Sequence, residues 1–493
     1  MSSIEEIRKV RLEKLEALRK NGIDPYPIDS NQEFTLEEVF NNFSKLSKRK
    51  KSISVVGRVM SLRPQGGLVF LHLNDGTISF QVLIKKDDPP AGGGEEAFKL
   101  FNDTVDIGDF LEIKGTLFVT KRKEKTLLAK KWRMLSKSLR PLPEKWHGLQ
   151  DVEERFRKRY LDALMNKEVR DRFILRSRII AELRNILDDA GYLEFETPVL
   201  QPLYGGASAL PFKTHHKTLD LDMYLRISDE LYLKRLLIAG FPKVYEISKD
   251  FRNEGIDATH NPEFTMLEYY ESYSDAEKQM IFLEKTLKTL IKKVLGKIKI
   301  NFASNVIDFG KKFAVISYFD LLRRHAIIPN PETISKEELI IVAHKFGVLF
   351  GSQDSFDKIL DNVFKKVCRP KIIQPTFIID YPATYLPLAK RKPENEMLVS
   401  AFQMVAGGME LVKAFSELND PIDQRSRFMH QEKTKEEGEQ EAQVLDEDFL
   451  EAMEYGMPPS GGVGIGIDRL IMLLTDTHNI KEVIFFPVMR PKS

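Results

Sequence analysis

Three short stretches carry side chains that ordinary structure does not require. The first, RNEGIDATHNPEF, runs from Arg252 to Phe264 and joins two apolar, β-prone segments, Lys243–Ile247 and Phe264–Tyr270. That context reads as a hairpin. Gly, Asp and Asn serve the backbone shape of a turn, but Arg252 and Glu254 at its start and Pro-Glu-Phe at its end do not. Standing alone, the stretch reads most plainly as a polar, solvated loop. The second, GGVGIGIDRLIMLL, is a glycine-rich strand running into an apolar helix between Gly461 and Leu474. It lacks the third glycine and the βαβ context of a dinucleotide fingerprint, so close backbone packing is its plain reading. Packing does not explain Asp468-Arg469 at the junction. An Arg emerging where glycines keep other side chains away can clamp a phosphate or lie flat on a base. The third stretch, Gly407 to Asp420, places Glu410 and Glu417 seven residues apart. On a regular strand that odd spacing sends them to opposite faces unless a bulge intervenes. One carboxylate could hold Mg2+ with nucleotide phosphates and the other could serve a cationic ligand, exposed salt bridges being the alternative.

The rest of the chain must position these groups. Its 493 residues predict two or three domains. Lys plus Arg number 75 against 73 for Asp plus Glu, so a nucleic-acid surface would be a local patch. A single cysteine, Cys368, excludes a disulfide framework and a Cys-based zinc site, and the charged opening MSSIEEIRKVRLEKLEALRKNG has no apolar core of the signal type. No run approaches the length of a membrane span, so cytoplasmic location without membrane association is expected.

Ile7, Val10, Leu12, Leu15 and Leu18 recur at helical spacing, predicting a basic amphipathic helix that either packs on its own domain or touches a phosphate backbone. Short alternating strands then follow at Ser54–Met60, Leu68–Leu73, Ile78–Ile84, Phe110–Val119 and Leu127–Met134. Five strands with Gly-bearing turns suggest an all-β barrel of the OB type, which binds unstacked bases on aromatics beside a basic groove. Phe70, Phe80, Gln81, Arg58 and Arg63 are the candidates, with core packing the alternative for each Phe. The proline-bearing run Leu139–Gly148 reads as a linker. Beyond it an α+β unit is expected, with a mostly antiparallel sheet flanked by helices. The resulting division is 1–48 for the helix and lead-in, 49–138 for the barrel, 139–162 for the linker and 163–493 for the larger domain. A mostly helical insertion is expected near 318–367.

Taken together, the three clusters resemble the signature motifs of class II aminoacyl-tRNA synthetases. Gly205–Ser208 through Thr214–His216, Leu221–Arg235 and Phe415–Asp420 are similar to the lysyl-tRNA synthetase family in particular, and the likeness runs from the N-terminal helix, through Gly22–Pro27, to Met489–Pro491. The resemblance implies adenylation of L-lysine by ATP, pyrophosphate leaving, and then transfer of lysine to the 3′ end of tRNA(Lys). It implies that Arg252 contacts the α-phosphate and the amino-acid carboxylate, Glu254 the adenine amino group, and Phe264 and Arg469 the two faces of the base. His260 and Asn261 fall near the phosphates. For the lysine it implies Glu417 and Glu268 at the ammonium, Tyr270 and Phe415 along the stem, and Glu230 with Gly206 at the α-amino group. The catalytic burden then falls on Arg252, Arg469 and Mg2+ through positioning and charge stabilisation.

Two departures from the family pattern stand out. Lys413 occupies a place where many members have Asn, and an ammonium aimed at the substrate's own would repel it, so Lys413 is expected to turn away. Gln403 stands where many have an acid that helps to bind metal, which leaves Glu410 as the metal ligand, with Gln403 at a second position. The resemblance also implies a homodimer built on a first motif at Arg176–Leu200, comprising a helix at Ser177–Ala190, Gly191 and a strand ending at Thr197-Pro198. Further implied is anticodon binding by the barrel through Phe70, Phe80 and Gln81. An aspartyl or asparaginyl enzyme of the same class, a protein-lysine-modifying enzyme and a non-catalytic RNA-binding paralogue are the rival readings. Glu417 with Glu268 suits neither aspartate nor asparagine, because a desolvated carboxylate needs a cation.

Overall fold

A computed structural model describes residues 3–87, 94–143, 149, 151–351, 354–436 and 443–492. The chain forms two compact units, Met1–Gly148 and Leu149–Ser493. Residues 144–148 and 150 of the expected linker lie outside the described residues.

In the first unit, helix α1 (Ile4–Lys20) begins at a capping box between Ser3 and Glu6. Leu18 enters the barrel core, and Arg11 donates to the carbonyls of Ile107, Ser138 and Arg140 at 3.0, 3.0 and 3.1 Å. The helix therefore packs on its own unit, leaving Lys9, Arg19 and Lys20 exposed. Strands β1 (Ile53–Gln65), β2 (Leu68–Asn74), β3 (Ser79–Lys85), β4 (Phe110–Val119) and β5 (Lys125–Ser136) close a barrel in the order β1-β2-β3-β5-β4. Helix α2 (Gly94–Thr104), between β3 and β4, adds Phe98 and Phe101 to the core.

The second unit is built on strands β6 (Leu193–Glu194), β7 (Lys243–Phe251), β8 (Glu263–Ser272), β9 (Ala314–Ser317), β10 (Thr376–Ile379), β11 (Ala401–Ala406), β12 (Met409–Ser416) and β13 (Ser460–Gly466). They form one eight-stranded sheet in the order β9-β10-β11-β12-β13-β8-β7-β6. Its pairings are antiparallel except β9–β10 and β7–β6. The parallel pair β9–β10 requires a crossover. Helices Lys336–Lys345 and Phe356–Val363 lie in that connection and share a core of Tyr318, Leu339, Ile359, Leu360 and Val363 with Ile378 of the sheet.

One face of the sheet packs on helices α3 (Lys167–Asp189), α5 (Ala276–Leu295) and α6 (Ile467–Leu474). Leu183, Leu187, Leu283, Leu287, Leu470 and Leu473 meet Leu267, Val412, Ala414, Val463 and Ile465 there. On the other face α4 (Glu230–Ile238) covers Val244 and Tyr270 through Leu231, Leu233 and Leu237. Strand alternation sends Glu268 and Tyr270 to this second face and Leu267 and Tyr269 to the first.

Two boundaries differ from expectation. Helix α3 begins at Lys167 rather than Ser177, because Val169 is buried together with Ile179, Leu183 and Leu187 and extends the apolar stripe by nearly three turns. Residues 152–157 and 159–165, lying within or running out of the expected linker at 139–162, are short helices of the second unit. Arg159 there is wholly buried, pairing with Asp162 at 2.8 Å and donating to the carbonyl of Lys481 at 2.8 Å.

Candidate active site

The face of the sheet away from α3, α5 and α6 is organised in cross-strand rows. One row runs Ala401, Phe415, Gly462, Tyr270, Val244, and the next Gln403, Lys413, Gly464, Glu268, Glu246. The glycines of β13 alternate with buried Val463 and Ile465, so Gly462, Gly464 and Gly466 form a floor without side chains between walls supplied by β12 and β8. That periodicity is the physical content of the glycine run: core on one side, open floor on the other. A bulge resolves the spacing of Glu410 and Glu417. The β11–β12 register passes from Met404↔Val412 to Val405↔Glu410, leaving Leu411 as the extra residue, buried like Val412 in the core. Glu410 and Lys413 thereby return to the face that carries Phe415, with Glu417 just beyond the strand end.

At one end of the floor, buried acids gather around one lysine. Glu417 is 1% exposed and ion-pairs with the wholly buried Lys234, which also binds Glu230 at 2.5 Å. Tyr270 donates to Glu268 Oε2 at 2.8 Å and Ser228 donates to Glu268 Oε1 at 2.9 Å. Behind Glu268, oxygens of Asp229, Asp250 and Glu268 lie within 4.8 Å of one another. Burial, reinforced by the charges of Asp250 and Glu230, pushes the Glu268 carboxyl up to about 7, and burial pushes Asp250 up to about 6 against the pull of Arg252 and Arg226. Lys234 stays charged despite burial because Glu230 and Glu417 both raise its pKa. Gly206 adopts φ +84°, and a Cβ there would lie 2.9 Å from Ser228 Oγ and 3.1 Å from Glu230 Cβ. The expected lysine-site residues Gly206, Glu230, Glu268, Tyr270, Phe415 and Glu417 are therefore brought together around this end of the floor.

Lys234 was not among the sequence candidates. Its signal is the i, i+4 spacing from Glu230 on the helix Glu230–Ile238, a spacing that usually marks an exposed pair. Here the pair is interior. Lys234→Met should leave Glu230 and Glu417 without a counter-charge and cost about 3–5 kcal/mol of stability. Urea denaturation measures it, and a loss under about 1 kcal/mol, the range of an exposed pair, would show the ion pair to be inconsequential.

The hairpin lies toward the other end. Arg252 follows β7 and its guanidinium carbon stands 4.9 Å from the centroid of the Phe264 ring, with weak bonds to the carbonyl of Ile227 at 3.3 and 3.4 Å. Glu254 is exposed in the loop. His260 has a defined role: its Nε2 accepts from Arg469 at 2.9 Å, because a guanidinium can only donate, and its Nδ1 then faces Asp257 Oδ2 at 2.8 Å. Asp257, overlooked as a turn residue, so orients Arg469 through His260. Arg469 Nη1 also donates to the carbonyl of Glu410 at 3.3 Å. Asn261 is buried and donates to the carbonyl of Glu263 at 2.6 Å, shaping the hairpin. Asp468, next to Arg469, ties three elements together by accepting from Arg176 of α3 at 2.5 Å and from the Thr265 amide of β8 at 2.8 Å.

Burial works against the Glu410 carboxylate, but Arg469, Lys413 and Arg369 together hold its pKa below the usual range. A persistently ionised, partly exposed carboxylate fits a divalent cation. Gln403 fits poorly: its amide oxygen, the only atom able to ligate a metal, accepts from Tyr381 at 2.9 Å. Lys413 stays on the cleft face and is exposed. The charges acting on it are those of Glu410, Asp361, Lys365 and Arg252, with Glu417 not among them.

In the barrel, Phe70 lies on the outer face opposite exposed Arg63, and His72 lies there opposite Gln81. Gln81 Nε2 donates to Thr126 Oγ1 at 2.7 Å, and Arg58 stacks 4.3 Å from the centroid of Phe110. Phe80 must be corrected: it is 3% exposed, packs on Phe43 and belongs to the core. Adjacent strand residues point to opposite faces, so Phe80 and Gln81 cannot share a binding surface.

Residues 151–490 match the family model described as tRNA synthetases class II (D, K and N), and residues 53–135 match an OB-fold nucleic acid binding domain. A lysine–tRNA ligase of Pelotomaculum thermopropionicum is 45% identical over 491 residues, covering 99% of this chain and 96% of that protein. One from Roseiflexus sp. is 46% identical over 490 residues, with 99% of both chains covered, and one from Enterococcus faecalis is 45% identical over 98% of this chain and 97% of its own. With an acid pocket, a glycine floor and two arginines assembled on one mostly antiparallel sheet, and an OB barrel as the other unit, the chain belongs to the class II tRNA synthetases of the D, K and N group.

Proposed function

We propose that this chain is a lysine–tRNA ligase, activating L-lysine with ATP and esterifying the 3′ end of tRNA(Lys). The observation that carries the amino-acid assignment is the acid pocket over Gly462. Phe415 and Tyr270 flank an apolar slot with Glu417 and Glu268 at its end; burial raises the Glu417 pKa well above the usual carboxylate range against the pull of Lys234, so a substrate ammonium is the partner that would hold the charge of these acids. Aspartate or asparagine would leave that charge unpaired. The names of the full-length relatives point the same way.

In this reading Gly206 and Glu230 receive the α-amino group, and Arg252 bridges the lysine carboxylate and the α-phosphate. Held together, these two anions become a near-attack pair. Phe264 and Arg469 sandwich adenine, Glu254 accepts from its amino group, and His260 and Asn261 shape the phosphate tail's surroundings. Glu410 would hold Mg2+, which supplies charge neutralisation to the phosphates. No protein nucleophile takes part. The barrel would read the anticodon by stacking on Phe70 and hydrogen bonding from Gln81, with Arg58 and Arg63 nearby. A homodimer is supported by Leu193, Val199 and Leu200, large apolar residues exposed within the first motif, and by exposed Leu203 just after it. Among the described residues no helix is long and apolar enough to cross a membrane, and the reading as a tRNA ligase favours the cytoplasm.

The test is amino-acid-dependent exchange of pyrophosphate into ATP with lysine, asparagine and aspartate supplied separately. Exchange with lysine alone is expected; exchange driven by aspartate or asparagine would refute the pocket assignment, and none at all would favour the non-catalytic reading.

The pocket also predicts a pH dependence. Glu268 titrates near 7 when folded against an ordinary value of 4.5, so between those limits the folded protein carries a proton that the unfolded chain lacks. Its contribution to stability is present below that window and falls as pH rises through it. Lysine binding has the opposite sign, because the substrate ammonium favours the carboxylate. Lysine affinity should therefore weaken as pH falls below about 7, by at most about tenfold per pH unit for one proton. Calorimetric titration between pH 5.5 and 8 measures this, and a profile identical in Glu268→Gln would assign the effect elsewhere.

A further inference from the structure

The cleft carries a lysine that the reading above leaves unused. Lys413, on β12, pairs with Gly464 of β13 on one side and Gln403 of β11 on the other, so it stands at the rim of the glycine floor. It is solvent-exposed, and among the described residues it has no ion-pair partner. The charged groups acting on it are Glu410, Asp361, Lys365 and Arg252. Most of its neighbours are already matched. Lys365 pairs with Asp361 at 2.6 Å, Arg369 lies 3.9 Å from Glu410, and Arg469 is compensated by Asp257 through His260. Glu410 is shared among Arg469, Lys413 and Arg369, so the cations beside the floor outnumber the carboxylate that faces them. Unmatched cations lining one wall of a cleft repel each other until an anion enters, which is the electrostatic signature of an anion subsite.

The facing residue points in the same direction. An acid at position 403 would neutralise Lys413 directly across the strand pair or bind metal, but Gln403 does neither, since its oxygen accepts from Tyr381. We propose that Lys413 is an anion-binding residue of the adenylation site, its ammonium contacting the α-phosphate and substrate carboxylate beside Arg252 and supplying fixed charge that a second divalent cation would otherwise bring. The proposal deepens the functional reading above and rests on it for the identity of the anions. It also gives a reason for Lys413 and Gln403 to face each other: a cation opposite a neutral amide sets the local charge for phosphate rather than for metal.

The experiment uses the full-length protein and its Lys413→Gln, Lys413→Ala and Gln403→Glu/Lys413→Asn variants. Calorimetric titration with α,β-methylene-ATP, in chelator and then in Mg2+, reads nucleotide binding without chemistry. Mn2+ bound with the same analogue is counted by electron paramagnetic resonance. Both single variants should bind the metal-free analogue about tenfold or more weakly, as expected for loss of a charge-assisted hydrogen bond. Their pyrophosphate exchange should need correspondingly more Mg2+ for half-maximal rate. The double variant should bind more Mn2+ than the wild type. Metal-free affinity within twofold of wild type in both single variants, with unchanged melting temperatures, would overturn the proposal, as would equal Mn2+ counts in the wild type and the double variant. If the wild type binds the analogue through Lys413 but shows no lysine-dependent exchange, the functional reading fails while the anion subsite stands.

Discussion

Arg252→Ala is expected to abolish most lysine-dependent pyrophosphate exchange while leaving the fold intact. Among the described residues the guanidinium's hydrogen bonds are two long ones to Ile227, with Phe264 stacked beside it at the cleft, so little structural stability depends on it. Its removal leaves the two reacting anions without their bridge. Deleting one preorganised donor from a developing charge typically costs about 10²–10³ in rate, and a phosphoryl-stabilising arginine about 10³–10⁵. A fall of about 10³-fold or more in kcat/KM is the expected value here. Arg252→Lys should recover only part of it, because an ammonium cannot form two parallel bonds to two partners in a plane. Exchange kinetics of both variants, alongside thermal melts, decide the matter. Exchange within tenfold of wild type in Arg252→Ala would remove Arg252 from the centre of the reaction.

The second large effect is expected from a single methyl group. A Cβ on Gly462 would fall 2.1 Å from Glu417 Oε1 and 2.3 Å from Tyr270 Cε1. Neither neighbour is free to yield: Glu417 is pinned by Lys234, and Tyr270 is buried with its hydroxyl on Glu268. Gly462→Ala should cost about 1–3 kcal/mol of stability by overpacking. The larger consequence falls on the substrate. Displacing Glu417 from its charge partner should weaken lysine binding by the roughly 2–5 kcal/mol seen when a buried charge pair loses a member, about 30-fold to several thousand-fold in KM for lysine. KM for ATP should move much less, since Arg469, Phe264 and Glu254 lie elsewhere along the cleft. Gly464→Ala is the internal control: its nearest neighbour is the flexible end of Met266 at 3.3 Å, so it should be far milder. Equal effects at the two positions would mean that the pocket is not built on this approach.

The helix Ile4–Lys20, the barrel strands, the hairpin strands and the glycine strand with its following helix were legible in the sequence because each is set by local periodicity and its punctuation. So was the set of polar groups unsuited to ordinary loops: Arg252, Glu254, Glu410, Glu417 and Arg469. Two residues could have been sorted by local rules and were not. Phe80 and Gln81 are neighbours on a strand, so one of them had to face the core. Asp257, three residues before His260, carried a turn signal that hid its second role.

Other features depended on partners distant in the chain. That Glu410 and Glu417 share a face required the bulge at Leu411, which exists only relative to β11. Lys234 reads as an exposed helix residue until Glu417, far along the chain, closes on it. The raised pKa of Glu268 comes from burial beside Asp250, Asp229 and Glu230, groups brought together from separate elements. By itself the sequence determined which residue types were available and which local elements would carry them, because periodicity and turn chemistry act over a few residues. Tertiary structure alone decided which charges are paired, which are buried and which face the cleft, because burial and Coulomb energy depend on distance in space.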